Sequence, residues 1–444
     1  MKASNYNFFI PYDYEKNKYI AYNALSNSLA LIEEDKYKKY LDFESSNIEI
    51  DDEKLLEDLA KGSFIIDDNL DELKVISHDM YRTRFNTTHL SLTIAPTSDC
   101  NFRCSYCFEK NAINSCYMSE DTENSIVKML ENRSGLINNF HVTWYGGEPL
   151  LAVDTIKRLS ERFIKICDDN KINYSATIVT NGYNLSRKNW TILKYCKVTT
   201  IQITVDGDEE THNKRRPLVG NLPTFDKIIK NLVDLKDDII PVTLRINIDK
   251  TNINQIEKVL ETLKENNLTN AVIPYLARVD NFNDCFDDNY CLRSNEFKDI
   301  VERFCEKMQE YGYSAENSKK YSYPRRLDCV CGCDVLESYV INADGEMYKC
   351  WNDIGKKDIS IGNVSNNFTG PNKLYLDYMM HDPTLDEKCS KCKFLPICMG
   401  GCSSKRLSNP YYVCDDTKYK FQERLNNIAL QIKSKINKDK EKIS

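Results

Sequence analysis

Positive charge is not in excess in this chain: 60 lysines and arginines stand against 67 aspartates and glutamates, a formal net charge of −7. Nucleic-acid binders concentrate basic residues on one domain, so that class of partner is disfavoured. Long apolar runs are also missing. No stretch of about eighteen apolar residues occurs, so no membrane span is expected. The opening residues, MKASNYNFFIPYDYEKNKY, lack a basic stretch followed by an apolar core. No secretory signal is therefore expected, and the expected location is cytoplasmic. Tryptophan and histidine are scarce, at 3 and 5 residues, and against them the 18 cysteines stand out. In a short secreted chain so many cysteines read as a disulfide framework. In a chain of 444 residues without a signal they read as metal or redox chemistry. Hydrophobic residues at 41% and charged residues at 29% are an ordinary globular balance, and the length suits two or three domains.

Residues 1–80 read as a small α+β module. YNFFIPYD, KYIAYNA and LALIEE have strand patterns, DKYKKYLDF is helical, and DDEKLLEDLAKGSFIID is a helix followed by a strand. The polar stretch 78–88 reads as a linker. Residues 89–315 then alternate strand and helix about six times, from HLSLTIAPT to EFKDIVERFCEKMQEYG. Such alternation predicts βαβ units around a parallel sheet, open or closed into a barrel, with chemistry at the carboxyl ends of the strands. Residues 325–415 lose the periodicity and crowd cysteine with Gly, Asp and Lys, the composition of a segment held by metal. Residues 416–444 read as a closing helix.

The first cysteine cluster, Cys100-x3-Cys104-x2-Cys107, follows the first strand of the alternating region. Three thiolates on a cubane iron–sulfur cluster leave one iron open to a further ligand. The same spacing also fits one face of a helix, and zinc is the other reading, although structural zinc favours four ligands in paired knuckles. Further motifs follow on later strand ends: Gly146-Gly147-Glu148-Pro149, Thr180-Asn181-Gly182, and Thr204-Val205-Asp206-Gly207 with His212-x3-Arg216. Each alone is a tight turn as readily as a site.

Taken together and in this order, they resemble the marks of the radical S-adenosylmethionine (SAM) superfamily. The aromatics around the third cysteine, including Phe108, belong to that resemblance. It implies a SAM-binding [4Fe-4S] cluster on Cys100, Cys104 and Cys107. Gly146, Gly147, Glu148 and Pro149 would meet the SAM amino group, and Thr180 and Asn181 would border the site. Thr204, Asp206 and Arg216 would meet the ribose and carboxylate, with Thr204 in place of the family's serine. The expected fold is a partial (β/α)6 parallel barrel between a small winged-helix-like N-terminal module and a C-terminal cysteine-rich iron–sulfur domain.

The second cluster is Cys389-x2-Cys392-x5-Cys398-x3-Cys402 and then Cys414, with Cys333-x11-Gly345-x4-Cys350 upstream. It is similar to the SPASM domain of peptide-modifying radical SAM enzymes. The resemblance implies two auxiliary [4Fe-4S] clusters. One would use Cys333, Cys350 and Cys402, with Cys331 or Cys329 as a fourth ligand or an open iron. The other would use Cys389, Cys392, Cys398 and Cys414. Zinc ribbons are the competing reading of these residues. The implied partners are a precursor peptide with a leader, held by the N-terminal module through strand addition, and an electron donor such as flavodoxin or ferredoxin.

Two SPASM activities compete. Sulfatase maturases form formylglycine and carry an Asp base directly after the third upstream cysteine; here that position is Trp351, with Asp353 out of register. The expected function is therefore thioether crosslinking of a ribosomally made peptide, with carbon–carbon crosslinking or formylglycine formation as the alternatives.

Overall fold

The computed structural model describes residues 1–46, 48–238, 240–318, 323–366, 371–408 and 414–441. The chain divides into two compact units. One comprises Met1–Phe85, Tyr321–Asp334 and Met380–Ser444; the other comprises Asn86–Lys320 and Val335–Met379. Among the described residues no helix is long and apolar enough to cross a membrane.

In the first unit, β1 (Lys2–Ala3) is followed by β2 (Asn7–Pro11), β3 (Lys18–Asn23) and β4 (Leu29–Glu33), which form an antiparallel sheet in the order β2-β3-β4. A short β5 (Ile65–Ile66) pairs with β1. The period of two along a strand sorts its side chains between two cores. Phe8 and Ile10 stand opposite Tyr22 and Ile20. These four pack with Leu395, Ile397, Phe421 and Leu425. Phe9, opposite Ala21, packs on the other face with Tyr40, Phe43, Leu55 and Leu59 from helices Glu34–Ser46 and Glu53–Lys61. The sheet is therefore covered on one side by residues 34–61 and on the other by the carboxyl-terminal segment.

The stretch 78–88, expected to be a linker, is mostly helix: Glu72–Arg84 is α-helical and starts at Asp71, whose carboxylate accepts the Lys74 N–H at 3.2 Å. Ile76 and Met80, one turn apart, are buried in the core that also holds Tyr22 and Leu425. The polar residues that suggested a linker mostly lie on other faces of this helix.

In the second unit, β6 (His89–Ile94), β7 (Asn139–Trp144), β8 (Asn173–Thr180), β9 (Val198–Thr204), β10 (Val242–Ile248) and β11 (Val272–Arg278) are parallel and adjacent in chain order. Their outward residues, such as Leu92, Val142, Ile178, Ile203 and Leu244, are buried with helix residues Ile126, Phe163, Leu193, Ile228 and Leu260. Burying each such side chain contributes about 1.5–3 kcal/mol. The alternate residues are polar: His141 and Thr143, Ser175 and Thr177, Gln202, Arg245 and Asn247, and Tyr275. One face packs on helices and the other encloses a polar interior, which is the division that a curled sheet imposes. The sheet runs past β6 into β12 (Ser338–Ile341), parallel to it, and then into the antiparallel β13 (Glu346–Tyr348) and β14 (Gly362–Asn363). Part of the aperiodic cysteine-rich segment thus extends the barrel sheet.

Candidate active site

The carboxyl ends of all six parallel strands open on one cavity of about 370 Å³. Cys100, Cys104 and Cys107 line it from the loop after β6. That loop is neither a helix nor free. Arg103 N–H donates to Pro217 O (2.8 Å), Ser105 N–H to Arg215 O (3.0 Å) and Val219 N–H to Asn101 O (2.9 Å). The Phe102 N–H points at the Cys100 sulfur at 3.4 Å. Burial pushes all three thiols up, Cys107 to about 12. Without a metal they are neutral thiols, and a bound iron is what makes such groups thiolates.

The glycines at the end of β7 answer a close approach. Gly146 has φ +108°, and a Cβ on Gly147 would stand 2.2 Å from the Asp99 carbonyl oxygen. Glu148 is 1% exposed. Its carboxylate accepts from the Thr180 hydroxyl (2.6 Å), the Asn181 N–H (2.7 Å) and the Leu150 N–H (3.0 Å), while burial raises its pKa. Asn181 in turn donates to Asn101 Oδ1 (2.8 Å), tying the end of β8 to the cysteine loop.

Asp206 is fully buried and does not line the cavity. It accepts the Asn247 N–H at 2.9 Å and the Tyr106 hydroxyl, and Arg215 Nε stands 3.7 Å away. Tyr106 also accepts from Arg216 Nη1 at 2.7 Å. Arg216 Nε is buried and makes no hydrogen bond among the described residues. Of the residues expected to contact SAM, Phe108, Gly146, Gly147, Glu148, Thr180, Asn181, Thr204 and Arg216 line the cavity, whereas Pro149 and Asp206 stand behind the lining. Sequence reasoning passed over Glu109, Tyr145, Gln202, Arg245, Asn247, Arg278 and Asp280, which also line it, as does Trp351. A signal existed for three of them. Gln202 stands between Ile201 and Ile203, and Arg245 and Asn247 alternate with Leu244, Ile246 and Ile248, so the period of two puts all three on the face away from the helices.

In the first unit the Cys331 and Cys333 sulfurs lie 3.0 Å apart, with Asp334 Oδ1 3.4 Å from the latter and held by the Ser403 hydroxyl at 2.6 Å. Cys329 points instead toward Met80 O at 3.9 Å. Cys389, Cys392, Cys398, Cys402 and Cys414 belong to the same unit, and Arg406 Nη2 donates to the Cys389 sulfur at 3.2 Å. Cys350 belongs to the second unit.

His212 carries a consequence for stability. Its Nδ1 accepts the Asp206 N–H at 3.2 Å, and burial, with the charges of Arg216 and Arg215, holds its pKa well below 6.5. The unfolded chain takes up a proton there that the folded chain refuses. Stability is therefore unaffected above the unfolded pKa and falls as the pH drops below it, by about 1.4 kcal/mol per unit. The thermal midpoint is expected to fall from about pH 7 to pH 5.5 less steeply in His212→Asn than in the wild type. Equal slopes would refute this account.

The donor set and the cavity fit the expected cofactor. Three thiols, a carboxylate held by three donors and a buried guanidinium nitrogen without a partner border a space of ligand size. A parallel strand–helix barrel with three thiols after its first strand and a Gly-Gly-Glu turn after its second defines the class of radical SAM enzymes. Residues 94–273 match the family model of the Radical SAM superfamily. The chain thus carries a Radical SAM domain over these residues and is an enzyme.

The cysteine-type anaerobic sulfatase-maturating enzyme of Clostridium novyi is 23% identical over 385 residues, spanning 78% of this chain and 98% of the relative. The solved structure of native anSMEcpe with bound AdoMet and Kp18Cys peptide aligns at a TM-score of 0.60 and 21% identity, over 77% of this chain and 99% of that one. Streptococcus suis SuiB bound to precursor peptide SuiA aligns at a TM-score of 0.55 and 16% identity, over 92% of this chain and 97% of that one. The two structural likenesses bear on the fold.

Proposed function

We propose that this enzyme matures a ribosomally made peptide by joining a cysteine sulfur to carbon. The observation that carries the reading is at Trp351. This indole lines the cavity and lies 4.6 Å from the Tyr145 ring, centroid to centroid, at the position where a sulfatase maturase needs its carboxylate base. Asp353 does not take over that role. It is buried, absent from the cavity lining, and accepts from the Tyr378 hydroxyl at 2.9 Å.

SAM and a reduced iron–sulfur cluster, when bound, would supply hydrogen-atom abstraction from an unactivated carbon, and auxiliary clusters would supply a place for the remaining electron. Cys100, Cys104 and Cys107 would hold the first cluster, and Glu148, Thr204 and Arg216 would hold SAM. Cys333, Cys350 and Cys402, with Cys331, and the set Cys389, Cys392, Cys398 and Cys414 would hold the auxiliary clusters. Trp351 and Tyr145 offer apolar surface that keeps water from the reacting carbon. The edge strand β4, with Ala30, Leu31 and Glu33 exposed, suits a leader that adds a strand. The cluster would be reduced by a donor such as flavodoxin or ferredoxin.

Formylglycine formation is the second reading, favoured by the likeness to sulfatase-maturating enzymes. Mass spectrometry after iodoacetamide treatment separates the two. A thioether breaks one C–H and one S–H bond and forms one C–S bond, so the product is two hydrogens lighter and one thiol can no longer be alkylated. An aldehyde that reacts with hydrazines would replace this reading with the second. The same mass loss with every thiol still alkylable would mean a carbon–carbon bond.

A further inference from the structure

We propose that Arg245 and Gln202 form a carboxylate-receiving patch in the cavity, and that the peptide segment reacting there carries an aspartate or glutamate side chain. The inference rests on the peptide-maturase reading. Both residues line the cavity from adjacent strands. The register pairs Thr243 with Gln202 and Arg245 with Thr204, so Gln202 and Arg245 are diagonal neighbours within reach of long side chains.

The remaining donors of both have no hydrogen-bond acceptor among the described residues. Arg245 Nε donates to Asn247 Oδ1 at 2.7 Å, which fixes the plane of the guanidinium. Its two terminal nitrogens make no hydrogen bond or ion pair among the described residues. Gln202 Oε1 is taken by the Tyr275 hydroxyl at 2.7 Å, which leaves the amide N–H groups as donors. Other charged side chains of the lining are engaged. Arg278 bonds Asp280 (3.0 Å) and Ser294 (2.9 Å), Arg216 bonds Tyr106 (2.7 Å) and Glu148 has its three donors, while burial raises the pKa of Glu109 to about 7.

The patch thus combines a guanidinium fork with an amide donor, and no carboxylate bonds either among the described residues. A carboxylate meets such a fork with two parallel charge-assisted hydrogen bonds, whereas a neutral amide offers one acceptor and brings its own donors into conflict. Carboxylate could also come from a peptide C-terminus or from SAM itself, and the test separates these sources.

The reconstituted full chain, with SAM present, is titrated with fluorescent synthetic peptides containing one cysteine and one Asp or Glu, amidated at the C-terminus, and with Asn or Gln counterparts. The acidic peptides are expected to bind about tenfold more tightly. Arg245→Gln should erase the difference and Arg245→Lys should keep part of it. Equal affinity of acidic and neutral peptides for the wild type overturns the inference and leaves the peptide reading standing. A neutral peptide with a free C-terminal carboxylate that matches the acidic set overturns the assignment to a side chain. A tenfold loss of SAM affinity in Arg245→Gln assigns the patch to SAM and overturns it too. If no peptide of either set binds, the peptide reading has failed and this inference with it.

Discussion

Replacing Cys104 with alanine is expected to abolish 5′-deoxyadenosine production and, on the proposed content of three clusters, to lower the iron content after anaerobic reconstitution from about twelve to about eight per chain. The loop that carries Cys104 is fixed by backbone hydrogen bonds of its neighbours, Arg103 to Pro217 and Ser105 to Arg215. Loss of the thiol therefore removes a ligand without releasing the loop. The cysteines at 389, 392, 398, 402 and 414 lie in the other compact unit and should keep their iron. The separation between the two readouts is the test. Loss of all iron would mean general misfolding, and retained SAM cleavage would remove Cys104 from the cluster.

The second large effect concerns a carboxylate outside the cavity lining. Asp249 is fully buried and accepts from Arg215 Nη1 at 2.7 Å and from the Thr251 N–H at 2.8 Å. Asp249→Ala leaves the Arg215 guanidinium, 7% exposed, with neutral acceptors at Thr251 (2.9 Å) and Asn247 O (3.3 Å) and with Asp206, 3.7 Å away, as its remaining carboxylate among the described residues. Removing one partner of a buried pair costs about 3–5 kcal/mol, because the other charge stays buried. In a unit of this size that is a fall in thermal midpoint on the order of 10 °C. Lys373→Ala is the contrast. Its pair with Asp377 is 90% exposed on the lysine side, and surface pairs contribute about 0–1 kcal/mol. Arg215 also presents the carbonyl that holds Ser105, so the Asp249 variant should weaken SAM binding as well. A midpoint shift no larger than that of the lysine variant would show that Arg215 finds another partner or water.

The parallel strands were legible because each shows an apolar alternation and β6, β7, β8 and β9 also carry a motif at the carboxyl end. Gly-Gly-Glu, Thr-Asn-Gly and Asp-Gly mark where β7, β8 and β9 stop, and the turns they make are the site. Other elements were hidden for physical reasons. The helix Glu72–Arg84 buries only a narrow stripe, Ile76 and Met80 with Glu72 and Arg84, and so reads as polar chain. Strand β12 is four residues long, below the length at which alternation can be recognised, and it is held by pairing with β6 across more than two hundred residues of sequence. Asp206 sits in a motif that suggests ligand contact, yet its oxygens are occupied by Tyr106 and Asn247, and partners so distant in sequence leave no local trace.

The first unit is assembled from both ends of the chain, and this imposes an order in time. Tyr22, Ile20 and Phe8 wait for Leu395, Phe421 and Leu425 before their face of the sheet is fully covered. Residues 86–379 are synthesised in between, and all but 321–334 belong to the other unit. At about 5–20 residues per second, that interval is roughly 15–60 s, during which Ile76 and Met80 of the helix Glu72–Arg84 are the cover already made for this face of the sheet. The cysteines at 389–402 leave the ribosome in the same stretch that closes this core, so iron binding at the proposed auxiliary sites would coincide with folding of this unit.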